Sequence, residues 1–115
     1  MDAYQLTAQK RLQQQQEVVT QRREKAWQLA KTAAALLKEE FGAARVAVFG
    51  SLVHPQLFHR RSDVDLAVWG LEGIEYYRAV SRLLSLDADI SFDLVEVEYA
   101  SPRLREKIEQ EGQLI

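Results

Sequence analysis

The sequence predicts a single α/β domain carried behind a long N-terminal helix. Three observations lead there. The first forty residues contain neither Gly nor Pro. After them, short apolar runs with β-branched residues alternate with amphipathic stretches of helical period. The 115 residues show no internal repeat and no second compositional regime, and a chain of this length buries roughly two-thirds of its unfolded surface, enough for one core.

Residues 2 to 40 are rich in Ala, Gln, Leu, Lys and Glu, which favour helix throughout. Leu12, Val19, Ala26, Ala30, Ala33 and Leu37 form a narrow stripe of coiled-coil spacing. From Ala26 the apolar face broadens, so residues 26–115 are expected to form the domain proper. Residues 1–25 are expected to protrude as a helical extension, lying along a partner, joining two copies of the chain, or standing solvated. Gly42 suits the end of this helix. Arg45–Phe49 reads as a buried strand, Ser51–Val53 as a short helix, and 54–62 as a loop anchored by Leu57 and Phe58. Residues 63–69 alternate, with Val64, Leu66 and Val68 on one face and Asp63, Asp65, Ala67 and Trp69 on the other. An amphipathic helix over 73–86 and a third strand over 91–97 follow. Ser101-Pro102 then fits an N-cap and first helical residue for a last helix running to about Gln110.

Composition removes several function classes. The absence of Cys excludes disulfides, thiolate metal sites and a Cys nucleophile. Two His leave little scope for zinc. No apolar run has the length of a membrane helix and no signal-peptide pattern opens the chain, which predicts a soluble, cytoplasmic protein without membrane partners. Net charge is −2, and residues 41–115 carry twelve Asp/Glu against eight Lys/Arg. An acidic main domain without a basic stripe argues against nucleic acid as partner.

The carboxylates carry the chemistry. Asp63 and Asp65, one residue apart on a strand, point to one face with Cα atoms about 7 Å apart. Held side by side they repel each other, and a hard divalent cation such as Mg²⁺ relieves the repulsion. Asp93 interrupts a strand otherwise made of Phe92, Leu94, Val95 and Val97, where a lone carboxylate is costly unless paired or ligated. A neighbouring position for that strand would bring three carboxylates to one sheet face, the donor set of a two-metal site. Gly50-Ser51, directly after the first strand, offers close backbone approach, amides at a helix start and a hydroxyl, all suited to phosphate oxygens.

Taken in order, a hydrophobic strand, Gly50-Ser51, eleven residues, Asp63-Val64-Asp65 and a later strand Asp93 resemble the nucleotidyltransferase superfamily that includes DNA polymerase beta. The likeness is greatest to its minimal members, which are often paired with a HEPN-domain protein. It covers residues 45–97. The resemblance implies a mixed three- to four-stranded sheet with helices packed on one side. It also implies transfer of a nucleoside monophosphate, AMP from ATP above all, to an acceptor hydroxyl. Two Mg²⁺ ions would be held by Asp63, Asp65 and Asp93, with Gly50 and Ser51 on the β- and γ-phosphates. The implied acceptor is a tyrosine of a HEPN-domain toxin, in an antitoxin role; a catalytically inactive adaptor that neutralises its partner by contact is the alternative. The chain departs from the pattern after Gly-Ser, where many members carry an Arg-Gly and this chain reads Leu52-Val53-His54-Pro55. Arg60 and Arg61 are the loop residues able to supply the missing charge for the nucleoside triphosphate.

Two lookalikes are set aside. Asp87-x-Asp89-x-Ser91-x-Asp93 with Glu98 imitates a calcium loop, but Phe92 stands where that loop needs Gly. His54 and His59 lack companion ligands, and Trp27 and Trp69 fit packing roles.

Overall fold

The structure, a computed structural model, describes residues 2–115. Helix α1 (Ala3–Phe41) runs unbroken and sets the long axis of a molecule 61 × 29 × 18 Å in extent. Asp2 and Gln5 close its start with a capping box, and Gly42, at φ 74°, ends it in the left-handed conformation that Gly adopts without a Cβ clash. Then come β1 (Arg45–Phe49), a 3₁₀ turn (Gly50–Val53), β2 (Val64–Trp69), α2 (Glu75–Leu84), β3 (Phe92–Glu96), a second 3₁₀ turn (Val97–Tyr99), α3 (Pro102–Glu111) and β4 (Gln113–Leu114). Ser101 caps α3 by accepting from the Leu104 N–H at 3.2 Å.

The sheet order is β3-β2-β1-β4. β1 runs antiparallel to β2 and β4, while β2 and β3, joined through α2, are parallel. The sheet is therefore mixed. Val46, Val48, Val64, Leu66, Val68 and Leu94 fill one face. Against it lie Ala26, Ala30, Ala33 and Leu37 of α1 and Ala79 and Leu83 of α2. The alanines let the α1 backbone come close to the sheet, so a narrow stripe suffices to bury it.

The expectation of helices on one side holds for α1 and α2. α3 departs from it: Ile108 and Leu104 pack with Ala47, Phe49 and Ala67, the residues of the opposite face. These small or aromatic side chains leave an apolar patch there that a helix is needed to cover. Three smaller differences follow from local physics. β4 pairs Leu114 with Ala47 and Gln113 with Val48, a two-residue strand too short to leave a periodic signal. In the 54–62 loop Phe58 is buried and Leu57 exposed, so one anchor serves where two were expected. Leu12, at the outer end of the α1 stripe, is exposed, and apolar packing against the core begins at Val19.

Candidate active site

β-Sheet register builds the centre of the site. Asp65 is paired with Phe49 on one side and with Asp93 on the other, so the three stand in one row across β1, β2 and β3. Parallel neighbours in register lie about 4.8 Å apart at Cα. Asp65 and Asp93 therefore rise side by side from the face opposite α1 and α2. Phe49 delivers the chain into Gly50, which turns at φ 74° with its backbone against the Asp65 carboxylate. A Cβ on Gly50 would sit 2.3 Å from Asp65 Oδ2, so only Gly lets turn and carboxylate occupy this space. Ser51 follows, half-buried, in the same turn. The turn spans four residues of 3₁₀ helix, too short for the dipole that a full helix start would offer. Its contribution to an anion is the direct reach of individual N–H groups.

The electrostatics match this geometry. Asp65 is pushed above its ordinary value of 3.8, first by burial, then by the charges of Asp93 and Asp63; Lys107 of α3 pulls the other way. Two neighbouring carboxylates thus bear on Asp65, and a cation on α3 opposes them.

Asp63 stands one residue ahead of β2 instead of within it. Its Oδ1 accepts from the Ser91 N–H at 3.1 Å and from Arg22 Nη2 at 3.3 Å. Arg22, on α1, also donates Nε to the Ser62 carbonyl at 2.9 Å and Nη1 to Asp89 at 2.8 Å. With Asp63 held this way, no three His, Asp or Glu side chains among the described residues are already gathered at metal-ligand spacing. Both contacts to Asp63 fall on Oδ1. The Arg22 contacts cross some forty and more positions of sequence, and nothing in the helical pattern of α1 marks Arg22 from its neighbours. Because Asp63 and Asp89 are partly in water, the ion pairs are screened, and the carbonyl bond carries much of the effect. Arg22→Met is expected to cost about 1–2 kcal/mol in urea unfolding; an unchanged midpoint would mean that the guanidinium does not hold α1 to the β2 entrance.

Arg60 and Arg61 are not brought to the Gly50–Asp65 centre. Arg60 lines, with His59, Val18 and Val19, a cleft between α1 and the loop. Arg61 is exposed, its N–H donating to His59 Nδ1 at 3.1 Å. His54 Nε2 lies 3.2 Å from Glu111 Oε2, fastening the end of the 3₁₀ turn to α3. The calcium-loop lookalike is dispersed: Asp87 accepts from the Ile90 and Asp89 N–H groups, Asp89 pairs with Arg22, and Asp93 stands on β3. Trp69 stacks under the Arg45 guanidinium at 4.8 Å, in the row of β1 and β2 farthest from Asp65.

The sequence profile of the family described as "Polymerase beta, Nucleotidyltransferase" matches residues 31–115, most of the chain. The protein belongs to the polymerase beta nucleotidyltransferase family. Solved structures agree with it. A chain of a toxin–antitoxin complex crystallised with AMP-PNP is 30% identical, with a TM-score of 0.57 over 70% of this chain and 66% of that one. A chain of a mutant MntA–HepT toxin–antitoxin complex is 25% identical, with a TM-score of 0.60 over 74% and 70%. A protein described as a minimal nucleotidyltransferase is 30% identical, with a TM-score of 0.51 over 84% and 92%. No curated protein matches the chain. The family profile begins at residue 31, so Arg22 and the outer part of α1 lie ahead of it.

Within a nucleotidyltransferase of this fold, the residues present suit a hard divalent cation. The donors are carboxylate oxygens only, two of them raised side by side by register, and the Gly50 cradle leaves Asp65 Oδ2 uncovered by any Cβ. Lys107 of α3 is the charged residue bearing on Asp65 that the motif reading passed over. Leu104, Lys107, Ile108 and Glu111 share one helical face, and an apolar pair flanking a lysine on that face was the signal available in the sequence.

Proposed function

We propose that the protein is a Mg²⁺-dependent nucleotidyltransferase that moves AMP from ATP onto the hydroxyl of a tyrosine in a HEPN-type partner, serving as its antitoxin. The observation that carries this reading is the row Phe49–Asp65–Asp93 with Gly50 folded against Asp65. It joins a phosphate-approach turn to a carboxylate pair on the sheet face that carries α3. The toxin–antitoxin crystal containing AMP-PNP supports the choice of an adenine nucleotide and of a protein partner.

In this mechanism Asp63, Asp65 and Asp93 would hold the divalent cations, whose charge offsets that of the triphosphate and of the transition state. The chain's own groups do the rest. Gly50 and Ser51 orient the β- and γ-phosphates, leaving the α-phosphorus over the carboxylate row. Asp93, exposed at the side of the row, accepts the proton of the incoming hydroxyl. The hydroxyl oxygen bonds to the α-phosphorus, the bond from that phosphorus to the β-phosphate oxygen breaks, and pyrophosphate leaves. Positioning and charge carry most of the rate.

Calorimetry of the full chain with ATP and Mg²⁺ tests the reading. Saturable binding well below millimolar nucleotide is expected. Absence of heat at several millimolar would remove the enzyme and leave the second reading, a binding antitoxin with a vestigial site. One observation favours that alternative: Leu6, Leu12 and Val18 of α1 are exposed on a helix that extends past the domain.

A further inference from the structure

A nucleotide triphosphate brings several negative charges to a site already crowded with carboxylates. Cations in reach are therefore the scarce resource. Arg22 is engaged by Asp63, Asp89 and the Ser62 carbonyl. Arg60 faces α1 across the loop cleft. The arginine that many family members carry after Gly-Ser is absent, its place taken by Leu52-Val53-His54-Pro55.

A further cation, Lys107, stands on α3. Leu104, Lys107, Ile108 and Glu111 stand at i, i+3, i+4 and i+7, one face of the helix. Leu104 and Ile108 are seated on Ala47, Phe49 and Ala67, the sheet face that also raises Asp65. Glu111, one helical turn beyond Lys107, reaches His54 at the end of the Gly50–Val53 turn. Both ends of the face are thus anchored, and Lys107 lies between them on the same face. It is exposed and, among the described residues, belongs to none of the side-chain ion pairs. A lysine ammonium is a compact, mobile point charge, suited to phosphate oxygens.

We propose that Lys107 binds the β- and γ-phosphates of the nucleotide held at Gly50 and Ser51, and so selects triphosphate over monophosphate. This rests on the nucleotidyltransferase reading of the same site. It also assigns the charge expected of Arg60 and Arg61 to a different element of the fold.

The test is calorimetry of the full chain with Mg²⁺ and, separately, AMP-PNP and AMP. Lys107→Gln is expected to weaken AMP-PNP about 10- to 100-fold, the scale of one charge-assisted hydrogen bond, with AMP changed less than about twofold. Lys107→Arg is expected to keep AMP-PNP within a few-fold of the unaltered chain. Equal AMP-PNP affinity in the unaltered chain and Lys107→Gln overturns the assignment, as does parallel loss of AMP-PNP and AMP, which would mark a structural role. Failure of the unaltered chain to bind either nucleotide is a separate outcome: it removes the nucleotidyltransferase reading itself, and the assignment with it. Since Lys107 is solvent-exposed, the variants should melt with the unaltered chain, and a matching thermal midpoint secures the comparison.

Discussion

Asp65→Asn is expected to yield a protein more stable than the unaltered chain and unable to transfer AMP. The two effects have one source. Burial and the charges of Asp93 and Asp63 make ionised Asp65 unfavourable in the fold, holding its carboxyl above 3.8. A carboxyl raised in this way binds its proton more tightly folded than unfolded. Below pH 3.8 it is protonated in both states and costs nothing. As pH rises from 3.8 through the folded value, stability is lost, and above that value the loss is complete. Asn keeps the shape and removes the charge, so the gain should be nil in acid and grow as pH rises through the folded value. Asp65 still meets water, and screening reduces the gain to about 0.5–1 kcal/mol, or roughly 2–5 °C in Tm. Transfer of labelled AMP should fall at least about a hundredfold, the scale of a single electrostatic group in an active site. Melts from pH 4 to 8 with a parallel transfer assay decide it; a less stable Asn variant, or one that retains transfer, contradicts the electrostatic account.

What the sequence revealed and concealed follows from the range of the forces involved. β2 was legible because Val64, Leu66 and Val68 alternate with Asp65 and Ala67, and burial of one face leaves no other register. α1 was legible from its composition and the Gly42 stop. The pairing of Asp65 with Asp93 was an inference from cost: a carboxylate on an apolar strand needs a partner, and parallel register supplied one. Interactions between distant segments left no trace. Nothing about Arg22 announces that it reaches Ser62, Asp63 and Asp89. Gln113 and Leu114 form a strand only because β1 offers an open edge. Leu57 and Phe58 are equally apolar neighbours, and the path of the loop alone decides which is buried. α3 occupies the second face because Ala47, Phe49 and Ala67 leave an apolar surface there, a property of the assembled sheet and not of any one segment. Lys107 was missed for the same reason: its neighbours are set by where α3 docks.

Gly50→Ala should damage both stability and chemistry, and comparison with Gly42→Ala separates its two costs. Both glycines hold φ 74°. An L-residue in that conformation costs about 1–2 kcal/mol, whatever surrounds it. At Gly42 a Cβ would meet nothing within 4 Å, so the backbone cost is the whole cost, and nucleotide binding should be untouched. At Gly50 the Cβ would lie 2.3 Å from Asp65 Oδ2, 3.1 Å from its Cγ and 3.3 Å from its Cβ. The Asp65 side chain cannot yield freely. Its backbone is locked between Phe49 and Asp93, and a swing away from Gly50 brings its charge nearer to Asp93. Either the turn leaves the carboxylate row or the row distorts, and both separate the phosphate-approach turn from the cation-holding oxygens. Gly50→Ala is therefore expected to lose about 2–4 kcal/mol of stability and at least about a hundredfold in transfer, where Gly42→Ala loses only the smaller backbone share. Equal behaviour of the two variants in both assays would show that Gly50 serves only as a turn and that its contact with Asp65 has no part in the chemistry.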